Sequence, residues 1–576
     1  MNSKSSINYS KKIFEILNSD EKKKIFTLFF LIIINFFLEL LSVTLVVPIV
    51  ALIFDDNFFN NLHLVKFLPD YIFNFSSDEL LKFCLIAIVI IYLVKTIFLI
   101  FFSYWKANFI YGLHKKYAEK LFFNYINQNY LFHLKSNSSE LTKNIVSTQN
   151  FAHNINQLSI LFTEIIILLG LVLILMYVNI KATVFIFAFT TLVSLIFLKF
   201  VTPILSIQGK KNMTNLKSLM ENINSSFFAI KEIKIMNREN YFISKFSKNI
   251  KNFSNSEKIQ EFIQSIPRFI LEFMSILLLI ITIFFMVYYE YDRVSIITFL
   301  ALFAAVGFKI IPSINKIIFS LQHLKFYLPV SEIVINDLKL KRDQLKEIHQ
   351  KVSGKWKIQI TNLSYSYPKS KKIVFKNINL NIDKFDIIGL TGSSGSGKST
   401  FINCLIGLLN PTKGEIKLDS KNIFDNLKSW QNKIGYVPQQ VFLTDDNIFS
   451  NIAFGIENKK INKNKIFQAS KISQLNNFLK KKEDYFKVIG ERGVRISGGQ
   501  IQRVGIARAL YNEKDILIFD ESTSSLDLET EEKFFKSIEN FKRKKTIIII
   551  SHKLNTLKIC DQVFKLKNNS LVKIKL

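Results

Sequence analysis

The sequence predicts two fold classes joined in one chain. A membrane-embedded, all-α domain with six spans is followed by an α/β domain built on a phosphate-binding loop. Three observations carry this reading. Six long apolar stretches occupy the first 321 residues. They then stop, and from Lys357 short β-type runs alternate with helical ones. One strand-to-helix junction reads Gly392-Ser-Ser-Gly-Ser-Gly397-Lys398-Ser399, which fits G-x-x-x-x-G-K-[ST].

Composition sets the bounds. At 576 residues the chain is long enough for several domains. A hydrophobic share of 49 %, with 57 Phe, excludes a disordered chain and fits poorly with a wholly soluble one. The formal charge of +31 follows from heavy use of Lys throughout, and no nucleic-acid partner is expected. Cys84, Cys404 and Cys560 lie far apart with no CxxC, so neither a disulfide framework nor a zinc site is indicated.

The spans are expected at about 25–54, 80–110, 160–178, 182–205, 266–289 and 294–321. Each is about the 20 apolar residues that a helix needs to cross the hydrocarbon core, or longer. The first is too long for a signal peptide and is read as a retained span. Residues 1–24 carry six Lys and the 111–155 loop five, whereas 55–79 carries five acids and one Lys. Positive loops stay in the cytoplasm. Both termini, the two long loops and the second domain are therefore expected on the cytoplasmic side, with the spans continuing as helices into those loops. The domain limits follow: a membrane domain over 1–335, a linker over 336–356 and the α/β domain over 357–576. Its strands are expected at Ile358–Leu363, Ile387–Leu390, Ile434–Val437, Ile516–Phe519 and Thr546–Ile550 in a mostly parallel sheet.

The phosphate loop comprises Gly392, Ser393, Ser394, Gly395, Ser396, Gly397, Lys398, Ser399 and Thr400. Glycines let backbone N–H groups close on phosphate oxygens, and the helix N-terminus adds a favourable partial charge. Lys398 is expected to reach the β- and γ-phosphates, and the Ser399 hydroxyl to ligate Mg²⁺. A second apolar strand ends in Asp520-Glu521. Asp520 is placed to hold Mg²⁺, directly or through water. Glu521 is placed to polarise an attacking water in phosphoanhydride hydrolysis.

Further along, Ile496-Ser-Gly-Gly-Gln500 precedes a helical run. It resembles the signature of ABC transporter ATPases, usually LSGGQ, with Ile in place of Leu. The family's other motifs follow in family order. Tyr367 looks like the aromatic that stacks on adenine, Gln439 like the Q-loop glutamine and Glu491-Arg-Gly493 like the loop before the signature. Ser525-Leu-Asp527 resembles the D-loop, and His552 the switch histidine. The resemblance implies ATP and Mg²⁺ as ligands. It also implies that Ser497, Gly498, Gly499 and Gln500 face the phosphate loop of a second copy. With one six-span region and one ATPase domain per chain, a homodimer is expected.

The six spans before the ATPase domain resemble the ABC exporter fold. Phe37-Leu-Glu-Leu through Val47-Pro-Ile, Pro267-Arg-Phe-Ile-Leu-Glu272 and Lys309-Ile-Ile-Pro-Ser-Ile-Asn-Lys316 are similar to flippases of lipid-linked oligosaccharides, the PglK-like group. That implies transport of an amphipathic lipid-linked glycan across a bacterial inner membrane. An exporter of another lipid, glycan, drug or peptide shares these features, and an ATP-gated channel is the alternative of another class.

Charges inside spans usually face a cavity or a partner. Lys95, Arg268, Lys309 and Lys316 are the candidates for an anionic cargo group such as pyrophosphate. Lys309 and Lys316 are seven residues apart, on one helix face. The alternative is local: Lys95 and Lys316 snorkel to an interface, and Arg268 pairs with Glu272. Glu39 and Glu164 are the acids that could neutralise these cations.

Overall fold

The structure is a computed structural model that describes residues 12–44, 77–178, 180–290, 293–340, 356–523 and 525–575, apart from some helical side chains. The chain divides into two compact units, one of 1–128 with 135–342, the other of 129–134 with 343–576.

The first unit is all helix. Its long elements are Ser19–Thr44, Ser77–Ile126, Thr148–Val178, Ile180–Phe228, Glu239–Tyr288 and Arg293–Leu338. Five stretches among the described residues are long and apolar enough to cross a membrane: Ser19–Ser42, Leu81–Ile126, Ser138–Ile174, Phe187–Phe228 and Glu239–Tyr288. The sixth expected span, 294–321, falls on Arg293–Leu338, where side chains before 310 lie outside the described residues. So does 45–54, the end of the first expected span. The Ser77–Ile126 and Glu239–Tyr288 helices each have 50 residues. At 1.5 Å per residue that is about 75 Å, more than twice the hydrocarbon thickness, so they project well beyond it. Side chains such as Ile86, Val89, Ile97, Phe101 and Phe284 stay exposed, which only an apolar solvent rewards. The Thr148–Val178 helix is the inner element. Leu168 and Val172 pack with Leu271, Ile314 and Ile318. A short helix follows at Ile230–Ile235, while the one at Tyr130–Lys135 falls almost wholly in the second unit.

The second unit holds two sheets. Six strands form the order β10-β9-β3-β8-β7-β6. They are β3 (Ile387–Gly392), β6 (Ile434–Val437), β7 (Ile516–Asp520), β8 (Thr546–Ile550), β9 (Gln562–Lys567) and β10 (Ser570–Ile574). All neighbours pair in parallel except β9 and β10. β3, β7 and β8 are buried along their whole length, as Ile-rich strands covered on both faces must be. The expected run Ile358–Leu363 instead lies in β1 (Lys357–Ser366) of a separate antiparallel sheet. Its partners are β2 (Ile373–Asp383) and β4 (Lys413–Leu418), with β5 (Lys421–Asn422) at the edge. Phe375, Ile378, Leu380 and Ile382 of β2 join the same buried cluster as Phe401 and Ile402.

Candidate nucleotide site

Register in the parallel sheet positions the site. Leu390 of β3 pairs with Ile550 of β8, and Ile550 with Asp520 of β7. Val437 of β6 pairs with Phe519. The residues just past these ends are the phosphate loop, His552, Glu521 and Gln439. Ligands of open α/β sheets bind beyond the carboxyl ends of the strands, and a cavity of about 450 Å³ lies there. Tyr367, Lys398, Ser399, Gln439, Glu521 and His552 all line it. Ser394, Gly395, Gly397 and Thr400 contribute the loop itself.

Gly397 caps the Lys398–Leu405 helix with φ +102°, and a Cβ there would meet Val374 Cγ1 at 2.7 Å. Only glycine fits that conformation in that space. Lys398 Nζ donates to the carbonyls of Gly392 (2.9 Å) and Ser393 (3.0 Å), both in its own loop. Burial pulls its ammonium below the usual lysine value, while the charges of Glu521 and Asp520 oppose that pull. Ser396 Oγ is buried with no partner among the described residues. Tyr367 OH is 3.2 Å from Thr400 Oγ1.

Glu521 is the hub. Gln439 Nε2 donates to its Oε2 at 2.8 Å, and His552 Nε2 lies 2.8 Å from its Oε1. A carboxylate only accepts, so that contact uses a proton on Nε2, whereas a lysine ammonium only donates and would need the same nitrogen bare. Lys398 Nζ is 3.3 Å from the same nitrogen. Glu521 has φ +47°, a left-handed conformation uncommon outside glycine and costing about 1–2 kcal/mol. Its amide donates to Ile550 O, which fixes that turn at the strand end. Asp520 is buried and accepts from Tyr436 OH at 3.1 Å. Burial raises its carboxyl above the usual value and Glu521 adds to the rise, while Tyr436 and Lys398 oppose it.

The signature residues stand apart, for the cavity lining does not include Ser497, Gly498, Gly499 or Gln500. Ser497 caps the Gly498–Tyr511 helix in a reciprocal box. Its Oγ accepts from Gln500 N at 3.3 Å, and Gln500 Oε1 accepts from Ser497 N at 2.9 Å.

The matches to known proteins follow the same two-part division. Residues 25–309 match the ABC transporter transmembrane region, and 375–524 the ABC transporter family. The chain belongs to the ABC transporter family. Curated ABC relatives include the "ABC transporter B family member 6" of Dictyostelium discoideum, 38 % identical over 224 residues, 37 % of this chain and 33 % of the relative. The "ATP-dependent lipid A-core flippase" of Blochmanniella floridana is 37 % identical over 240 residues, 41 % of each chain. Alignments of this kind span between 16 % and 41 % of the relatives' length. In three dimensions the chain is similar to a bacterial Atm1-family ABC exporter with ATP bound. The TM-score is 0.77 at 18 % identity, covering 96 % of this chain and 95 % of the other. The fold is thus that of an ABC exporter half-transporter, a multi-pass membrane domain followed by the ABC ATPase fold.

In the membrane unit of this ABC chain, a cavity of about 980 Å³ is lined by Arg268 and Lys316, and also by Lys106, Glu39 and Glu164. Each expected cation with a described side chain has an acidic partner. Lys316 Nζ is 2.6 Å from Glu164 Oε1, and Arg268 Nε is 2.8 Å from Glu272 Oε1 on its own helix. Lys95 is buried and pairs with Glu39, with Ser42 Oγ at 3.0 Å. It does not line the cavity, whereas Glu39 does. The Lys309 side chain lies outside the described residues.

Sequence reasoning missed three residues. Tyr436 sits inside the motif that ends in Gln439, and the alternation of β6 turns it to the same side as the site. Lys106 lies four residues before the end of the span expected at 80–110, where a lysine reads as a boundary residue, yet it lines the cavity. Glu531 lies among surface-like acids after Asp527. Yet its carboxylate is buried and accepts from Thr523 Oγ1 (2.7 Å), Thr556 Oγ1 (3.3 Å) and Lys553 Nζ (2.8 Å).

Proposed function

We propose that two copies of this chain form an ATP-hydrolysing exporter that flips an amphipathic lipid-linked oligosaccharide across the bacterial inner membrane. In this reading the membrane domain is 1–335, the linker 336–356 and the ATPase domain 357–576, with both termini cytoplasmic. The convergence of Lys398, Gln439, Glu521 and His552 on one cavity carries the proposal.

The roles follow from position. Loop N–H groups and Lys398 bind the β- and γ-phosphates, and Tyr367 stacks on adenine. Glu521 takes the proton of the attacking water, His552 holds the Glu521 carboxylate in place, and Gln439 orients it from the other side. The donors suit Mg²⁺: a hydroxyl (Ser399), an amide oxygen (Gln439) and one buried carboxylate (Asp520) are hard oxygen ligands. No group of three or more His, Cys, Asp or Glu fit to hold a metal occurs among the described residues, in keeping with an ion held partly by the nucleotide's own phosphates. When bound, Mg²⁺ supplies charge neutralisation on the phosphates.

Ser497–Gln500 lie outside the cavity of their own chain, which supports a second copy as the one they serve. The N–H groups of Gly498 and Gly499 open a 14-residue helix and are suited to a γ-phosphate. For the cargo, Lys106, Arg268 and Lys316 outnumber the acids Glu39 and Glu164 in the lining of a large membrane cavity, and Lys95 and Lys309 belong to the same proposed set. The names of several relatives favour a second reading, in which lipid A-core is carried instead.

The test is the purified dimer in sealed vesicles. ATP hydrolysis is expected to rise with a polyprenyl-pyrophosphate saccharide and not with unrelated drugs, and the labelled lipid to change leaflets only with ATP. Stimulation by lipid A-core alone would favour the second reading. A monomer that hydrolyses ATP at full rate would overturn the two-copy scheme.

A further inference from the structure

A second cavity of about 600 Å³ adjoins the one that holds Arg268 and Lys316, and Ser103 and Lys106 line both. Its chemistry differs. Tyr111, Asn150, His153, Asn156, His323 and Tyr327 line it, and no Asp or Glu does among the described residues. These are amides, imidazoles and phenols, groups that exchange hydrogen bonds with neutral hydroxyls and offer flat apolar faces. Asn156 Oδ1 is buried without a partner, an expensive state for an amide unless something else meets it. The larger cavity carries a similar orphan, Gln264 Nε2.

Position separates the two cavities further. Apart from Ser103, Lys106 and Ala107, which lie inside the span expected at 80–110, the residues of the smaller one fall at or beyond the cytoplasmic ends of the spans expected at 80–110, 160–178 and 294–321. The larger one reaches to Asn35, Glu39, Ile167 and Pro312, within the spans. Between them stands Lys106. Its Nζ lies 5.5 Å from the Phe102 ring centroid, and no carboxylate among the described residues forms an ion pair with it.

We propose that the smaller cavity is a sugar subsite. It takes the first sugar residues of the cargo head group, while Lys106 binds the phosphate that joins them to the lipid. This deepens the lipid-linked-glycan reading and rests on it. A neutral polyhydroxyl group beside one anionic charge matches the order of chemistry along the two cavities: amide and aromatic lining, then Lys106, then the charged chamber in the membrane.

The experiment uses the full-length dimer in nanodiscs and two labelled probes, a polyprenyl pyrophosphate and the same lipid bearing one N-acetylhexosamine. Wild type is expected to bind the glycosylated probe more tightly. Asn156→Ala removes the orphaned amide and Tyr111→Ala an exposed ring, a change the fold tolerates. Each is expected to weaken the glycosylated probe alone, by about threefold to tenfold for one or two lost hydrogen bonds. Lys106→Gln is expected to weaken both probes. Equal affinity of wild type for the two probes overturns the sugar subsite and leaves the anionic-lipid reading standing, as do equal effects of Asn156→Ala and Tyr111→Ala on both. Binding of neither probe overturns both.

Discussion

Glu531→Ala is the perturbation that most directly tests how the nucleotide site is held. Thr523 lies two residues after Glu521, and Lys553 directly after His552. By accepting from Thr523, Thr556 and Lys553, the Glu531 carboxylate ties the two segments that carry the water-facing acid and its histidine partner. Cutting a buried ion pair costs up to about 3–5 kcal/mol. Lys553 is 46 % exposed, so water recovers part of that, and about 2–3 kcal/mol is the expected loss. If half of that loss reaches the placement of Glu521 and His552, turnover falls about tenfold, since 1.4 kcal/mol is one decade. The phosphate loop is not in this network, so the KM for ATP is expected to stay within about twofold of wild type. Glu531→Gln keeps the side-chain shape and loses the charge, and should fall between wild type and Glu531→Ala. Steady-state ATPase assays over a range of ATP concentrations read both constants. Full turnover in Glu531→Ala, or a rise in KM with turnover intact, would refute this role.

Three further outcomes are expected. Glu521→Gln keeps the side-chain shape and one acceptor oxygen, so it can still accept from Gln439 or from His552 but not from both, and it removes the proton acceptor. Turnover should drop by about 10²–10⁴ with ATP binding retained, as read by nucleotide retention and phosphate release. Gly397→Ala forces an alanine to φ +102° against Val374, and overpacking of this kind costs about 1–3 kcal/mol. Calorimetry should find ATP affinity reduced at least tenfold, and unchanged affinity would show that the loop relaxes freely. Asp520→Asn separates stability from activity. A carboxyl raised by burial favours its neutral form in the folded protein. Its contribution is therefore fully present below the unfolded pKa and lost as pH rises through the higher folded value. Near neutral pH the nucleotide-free variant should melt above wild type, with the gap closing in acid, while hydrolysis is lost. A lower melting point at neutral pH would contradict the assignment.

Motifs that must present backbone or charge at a strand end were legible from sequence. Lys398, Gln439, Glu521 and His552 needed only the rule that parallel strands deliver their C-terminal residues to one edge. The antiparallel sheet was less legible. β2 carries Lys376, Asn377 and Asn379 between its buried positions, and β5 is two residues long, so neither makes an apolar run. In the membrane unit, hydropathy located the helices but not the charge pairing. The i,i+4 spacing pointed to the Arg268–Glu272 pair, but Glu39 and Glu164 reach Lys95 and Lys316 across helices, and nothing in span composition says which of those acids meets which base. Lys106 lay near the end of an expected span, where a lysine usually signals only the water boundary.

The reciprocal box between Ser497 and Gln500 has a consequence for how two copies would come together. Both of its hydrogen bonds are made within one chain, so the segment needs no ordering when another surface approaches. A prefolded edge loses little freedom on contact, and the strength of the contact then depends on the charge lodged between the faces. Under the proposed two-copy arrangement, such a joint would tighten around a triphosphate and slacken once its last phosphate had gone, without refolding on either side.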